Sequence, residues 1–320
     1  MEEVTWYDVF IENLYEKCSK KSQLAQELMD LLCIEREAVY RRLRKEVVFP
    51  VHEMVKIASE WGISLDEIVG INSGQVPFRL QPINYFNPSK KEMGNMQKRI
   101  RAVEYFSTLP DSEHMEVCNK IPKSISTGSL LFYRFKIFNW TSLYNNDDTY
   151  KRFSDIILPE KVREEIERYS IAIKSVANSS FILDNMVLEH LIRNIQYFHS
   201  ILLITDEEKE LLRKELHVLL DYLLEIANNG CYPETQNKVN LYISQLNIDT
   251  NYSYYYSEQM KSCLVQAFGK FDIASYDSDM VNNFRAWMNI KKRATIQISE
   301  VNEKFRIEFF TQQRQIVDTL

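Results

Sequence analysis

Glycine is scarce in this chain, at 7 of 320 residues, and proline numbers only 8. Many-stranded sandwiches and doubly wound α/β sheets draw on glycine for the positive-φ positions of their connections. The shortage therefore argues against both and for a mainly α (α+β) chain. Long apolar runs are also missing. The most apolar stretch, Leu130 to Trp140, is too short to span a bilayer and contains Arg134 and Lys136. The opening Met1-Glu2-Glu3-Val4-Thr5 is acidic and unlike a signal peptide. A cytoplasmic protein that neither crosses nor coats a membrane is expected.

The chemistry of metal and cofactor sites is equally thin. Cys18, Cys33, Cys118, Cys231 and Cys263 are odd in number and form no CxxC, which excludes a disulfide framework or a zinc cluster. His52, His114, His190, His199 and His217 show no ligand spacing. No Gly-rich phosphate loop and no GxSxG motif occurs. The expectation is a protein without catalytic residues, metal or cofactor. A basic surplus is absent too, since the net charge is −6. Contact with nucleic acid must then come from a local patch.

What is present begins with a dense run of short helices over residues 1–72. Thr5 suits the cap of a first helix with Trp6, Phe10 and Leu14 on one stripe. Ser22 suits the cap of a second, which turns Leu24, Ala25 and Leu28 inward. A third runs over about 35–46, anchored by Val39 and Leu43. Pro50 fits the first turn of a fourth, ended by a left-handed Gly62. Ser64-Leu65-Asp66-Glu67 is a capping box for a fifth that stops at Gly70. Residues 73–88 hold Gly74, Pro77, Pro82 and Pro88 and read as a linker.

The third helix carries the functional signal. Arg36-Glu37-Ala38-Val39-Tyr40-Arg41-Arg42-Leu43-Arg44-Lys45 buries little beyond Val39 and Leu43 and leaves four arginines, a lysine and a tyrosine outside. Arginine forks onto phosphates and guanine edges, and an exposed helix of this kind fits the major groove. Lys17, Lys20 and Lys21 precede the second helix, whose N-terminus suits a phosphate. Residues 21 to 70 resemble the helix-turn-helix domain of the lambda-repressor-like (Xre-type) regulators. The matching residues are Ser22-Gln23-Leu24-Ala25, Ala38-Val39-Tyr40-Arg41-Arg42-Leu43, Pro50, Val55-Lys56-Ile57-Ala58 and Trp61-Gly62-Ile63-Ser64-Leu65-Asp66-Glu67-Ile68. The resemblance covers about a sixth of the chain and implies a five-helix, bacterial-type DNA-binding domain. By family position, Arg36, Glu37, Tyr40 and Arg41 would face bases. Lys21, Ser22 and Gln23 would hold phosphates, and Arg44 and Lys45 the flanking backbone. Two features depart from the pattern: the turn Met29 to Glu35 is wide, and the apolar pair of helix three is four apart.

Residues 89–320 are expected to form a regulatory and dimerisation domain. A capping box at Ser89-Lys90-Lys91-Glu92 opens a basic helix to about Thr108. Further helices are expected over about 129–144, 159–174, 186–203 and, from the capping box at Thr205, 206–229. Two more cover about 278–292 and 299–317. Alternating patterns at Val239, Leu241, Ile243 and at Tyr252, Tyr254, Tyr256, with the stretches 263–268 and 271–275, predict a small antiparallel sheet. Ile248 to Asn251 would turn between the first two strands. The tyrosines at 252, 254, 255 and 256 could line a ligand pocket or simply form a half-buried strand. The leucines of 206–228 could be core or a dimer seam.

The sequence thus supports a transcription regulator bound to double-stranded DNA as a homodimer, with a possible small-molecule or protein effector on the larger domain. A second reading stays open. Residues 1–72 hold 9 Lys/Arg against 14 Asp/Glu. An interaction adaptor whose helix-turn-helix fold does not bind DNA fits that balance. A continuous positive face on helix three favours DNA; pairing of Arg41, Arg42 and Arg44 with nearby glutamates favours the adaptor.

Overall fold

The computed structural model describes residues 5–17, 21–65, 68, 76, 78–81, 88–144, 152–267 and 271–320. They divide into two compact units, Met1–Pro77 and Phe78–Leu320. Each has its own apolar core.

In the smaller unit the helices are α1 (Trp6–Lys17), α2 (Lys21–Leu32), α3 (Arg36–Leu43) and α4 (Val51–Trp61). Thr5 caps α1, its Oγ1 accepting from the Asp8 amide at 3.2 Å. Phe10, Leu14, Leu24, Ala25, Leu28, Val39, Leu43, Phe49, Met54 and Ile57 fill the core, as the helical spacing predicts. Gly62 ends α4 at φ 65°, the left-handed conformation expected of it. Ser22 does not precede α2 but stands in its first turn. Helix three is shorter than 35–46: it stops at Leu43 because Lys45 takes a positive φ of 63°. The expected fifth helix falls mostly outside the described residues, though the Ile68 amide does bond the Ser64 carbonyl at 3.2 Å.

The larger unit is built on one eight-stranded sheet, not a small antiparallel one. Its strands are β1 (Arg79–Gln81), β2 (Glu113–Cys118), β3 (Asn178–Asp184), β4 (Lys238–Ser244), β5 (Tyr252–Tyr256), β6 (Lys261–Ala267), β7 (Phe271–Ser275) and β8 (Thr295–Gln297). The order is β1-β7-β6-β5-β2-β3-β4-β8, with β2, β3 and β4 parallel and the other pairings antiparallel. The helices are α5 (Lys90–Ser107), α6 (Lys123–Ser126), α7 (Leu130–Tyr144), α8 (Glu160–Lys174), α9 (Glu189–Ser200), α10 (Asp206–Asn229), α11 (Ser278–Lys291) and α12 (Glu303–Asp318).

The segment 73–88 is not purely a linker, because Arg79–Gln81 pairs with β7 at the sheet edge. β4 and β5 form no hairpin: β3 and β2 lie between them. The connection that was expected as their turn crosses the ends of those strands. There Asp184 accepts from the Ile248 amide at 2.9 Å, and Asn119 donates to the Ile248 carbonyl at 3.0 Å. Scarce glycine did not preclude a large sheet. Parallel strands are joined through helices, and among the described residues of the larger unit Leu202, Gln236, Glu300 and Asn302 take positive-φ positions alongside Gly230.

Residue parity assigns the two faces of the sheet. His114, Glu116, Cys118, Phe181, Leu183, Val239 and Leu241 point to one face, Met115, Val117, Ile182 and Tyr254 to the other. A thick helical layer covers the first. It includes α10, whose Leu212, Leu216, Leu219, Leu220 and Leu223 are buried in the main core. Those five leucines are core, and of the helix's large apolar side chains only Leu211 and Val218 are exposed. α11 covers the other face with Val281, Phe284 and Met288.

Candidate functional site

The residues singled out on the smaller unit are at its surface. Lys21, Ser22 and Gln23 occupy the exposed first turn of α2, and Arg36 and Glu37 the exposed first turn of α3. Arg41, Arg44 and Lys45 are exposed as well, and Tyr40 is half-buried. Two cations stand at the first positions of their helices without a carboxylate partner among the described residues. Lys21 lies over the Tyr15 ring at 5.4 Å. Arg36 lies over Tyr40 at 5.6 Å.

The rest of the basic cluster is neutralised. Arg44 reaches Glu46 at 2.6 Å and Glu37 at 2.9 Å, and Arg41 lies 3.6 Å from Glu46. Lys45 pairs with Asp8, and hydrogen bonds from Lys45 and Thr5 hold that carboxyl far below the usual carboxylate range. Arg42 is no part of the exposed face. It turns inward and grips the buried Glu53 of α4 with two bonds of 2.8 and 2.9 Å. Gln23 donates to Glu27 at 3.0 Å. The positive charge of α3 is therefore not a continuous face, and the feature named above as favouring an adaptor is present. Exposed ion pairs of this kind contribute little to stability, so the arginines can exchange carboxylates for phosphates at little cost. The Arg42–Glu53 pair is different: it is desolvated and fixes α3 against α4.

The larger unit holds a feature that the sequence reading found only in part, a cavity of about 460 Å³ between the sheet and its helical layer. The sheet supplies His114 and Glu116 from β2, Tyr255 from β5 and Asp272 from β7; α5 brings Arg99 and α7 brings Lys136. Of the tyrosines at 252–256, Tyr252 and Tyr255 border it, while Tyr254 bonds Glu113 on the opposite face. α5, the basic helix of the sequence, turns Arg99 toward the cavity, where it bonds Asp272.

Charge within this cavity is unevenly matched. Asp272 accepts from Lys123 at 2.7 and 2.9 Å and from Arg99 at 3.0 Å. Its burial opposes ionisation, but these two cations keep it below the usual carboxylate range. Lys136 donates to Ser126 at 2.7 Å and lies 5.5 Å from the Phe132 ring centroid. Burial, with Lys123 nearby, lowers its pKa to about 8. Glu116 sits under the Lys123 amide at 3.4 Å, and burial pushes its carboxyl up to about 7. His114 stacks on Tyr255 at 4.6 Å, and burial lowers its pKa to about 3. Its Nδ1 has no hydrogen-bond partner among the described residues, nor has Oδ1 of Asn139, which also borders the cavity.

Among the described residues no group of three or more His, Cys, Asp or Glu side chains could hold a metal, and no helix is long and apolar enough to cross a membrane. No protein-family model, curated protein or solved structure matches the chain.

Proposed function

We propose that the protein is a cytoplasmic regulator of transcription whose smaller unit binds double-stranded DNA as a helix-turn-helix domain and whose larger unit dimerises and senses an effector. The observation that carries the reading is the placement of unpaired cations. Lys21 and Arg36 stand at the exposed N-termini of α2 and α3 with no carboxylate within ion-pair distance among the described residues. A helix N-terminus already favours an anion through its free amides and its dipole. In this reading α2 grips a phosphate with Lys21, Ser22 and Gln23, and α3 enters the major groove from its N-terminal end. Arg36, Tyr40 and Arg41 then approach base edges, and Arg44 and Lys45 trade their carboxylates for flanking phosphates.

A second reading is favoured by a specific observation. Arg41, Arg44 and Lys45 are all paired with acids on the same surface, and Val48, Val51 and Val55 are exposed beside them in sequence. A protein-interaction adaptor would use such a mixed, partly apolar surface. Selection of genomic fragments by the full-length protein, followed by titration of the best fragment at several salt concentrations, separates the two. The regulator reading expects a two-fold-symmetric site, affinity falling steeply with salt, and a loss of about 1–3 kcal/mol in Arg36→Ala and Arg41→Ala. No enrichment over bulk DNA, with both variants silent, would leave the adaptor.

A further inference from the structure

The cavity of the larger unit has a charge problem that the protein itself does not solve. Around it stand Arg99, Lys120, Lys123 and Lys136, against Glu116 and Asp272. Asp272 is shared between Arg99 and Lys123. Lys136 has a hydroxyl and a ring as neighbours but no carboxylate within ion-pair distance among the described residues. Lys120, an exposed residue of the same lining, has no ion pair there among the described residues either. An ammonium taken out of water without a counter-ion is strongly unfavourable. A chain that keeps one in such a place gains nothing in stability from it, so the positive charge points to a bound anion.

The rest of the cavity describes the body of that anion. Its volume lies in the range of pockets for metabolites and other small molecules. Its walls are largely apolar and aromatic, with Phe132, Tyr133, Trp140, Tyr169 and Tyr255 among them. Such walls accept a ring or a branched chain, face on or edge on. His114 Nδ1 and Asn139 Oδ1 are buried polar atoms without partners at the same lining. Groups of that kind are rare unless something is to bond them.

We propose that this cavity binds a small organic anion, a ring-sized apolar body carrying one carboxylate or phosphate, with the acidic head on Lys136 and Lys120 and the body against the aromatic wall. The site concerns the larger unit alone and stands whether or not the smaller unit binds DNA. If the regulator reading holds, this anion is its effector.

The test is isothermal titration of the full-length protein with three matched probes: naphthoate, naphthyl phosphate and the neutral naphthamide. Both anions are expected to bind with one site per chain, and the amide at least about tenfold more weakly. The tighter of the two anions identifies the head as carboxylate or phosphate. Lys136→Met is expected to cost the anions at least about tenfold while leaving the amide unchanged. Lys120→Met should act in the same direction, which covers the case in which Lys136→Met perturbs the fold. Lys304→Met, at a site 91% exposed, should change nothing. The proposal is overturned if the amide binds as tightly as the anions, if neither lysine variant changes anion affinity, or if none of the three probes binds. A DNA selection that fails while these titrations succeed would remove the regulator reading and leave the anion site.

Discussion

At the scale of single residues, the buried groups of the cavity make stability depend on pH in opposing directions. Glu116 holds its proton up to about pH 7, whereas the unfolded chain releases it near the ordinary carboxylate value of 4.5. The unfolded state therefore binds fewer protons between those values, and stability falls as pH rises through that window. His114 acts in reverse. It stays neutral in the fold down to about pH 3 and gains a proton near 6.5 once unfolded, so stability falls as pH drops below 6.5. Glu116→Gln removes the first effect and leaves the second. The variant should match the parent near pH 4.5 and be more stable by about 1–3 kcal/mol at pH 8. Chemical denaturation at both values checks this. A constant difference between the two proteins at every pH would mean that Glu116 ionises normally.

At the scale of elements, the ion pair between α3 and α4 is the contact whose removal should matter most in the smaller unit. Arg42 and Glu53 are the desolvated pair, with side-chain exposures of 15% and 9%. Arg42→Ala strands a buried carboxylate and is expected to cost about 3–5 kcal/mol. Replacing both partners, as Arg42→Met with Glu53→Leu, should recover most of that. Equal losses in the single and double variants would show that the pair is not desolvated in solution. Element boundaries were legible wherever they are set locally. Ser89 and Thr205 form the capping boxes that their Glu partners three residues on predict. Gly230 closes α10 at φ 66°. β2 and β3 were not legible. Both are buried along nearly their whole length, so neither alternates, and β2 carries His114 and Glu116 where a core strand would ordinarily be apolar. The residues that hid β2 are the ones that border the cavity.

For the whole molecule, two separate cores predict two unfolding events. The smaller unit's cluster runs from Tyr7 to Ile68, and the larger unit's clusters use only residues beyond it. Calorimetry of the full-length chain should resolve two transitions. Arg42→Ala should lower one of them alone. Lys136→Met should shift the other alone, and upward, because it removes a half-buried cation that has no carboxylate within ion-pair distance among the described residues. A single transition moved by both variants would mean that the units unfold together.

The sequence by itself determined what depends on near neighbours: most of the helices, the caps at Thr5, Ser89, Thr205, Gly62 and Gly230, and the amphipathic stripes that face each core. It also placed Lys21, Ser22, Gln23, Arg36, Glu37, Arg41, Arg44 and Lys45 at the surface. Tertiary structure decided what depends on distant partners. Arg42 looked like a member of an exposed basic face until Glu53, eleven residues on, drew it inward. Arg99 belongs to a helix that reads only as basic in sequence, until Asp272, far along the chain, draws it in together with Lys123. Strand order was beyond reach for the same reason. Alternation reports which face a residue takes but not which strand lies beside it, and the parallel centre of the sheet is set by helical crossovers whose packing exists only once the chain has folded.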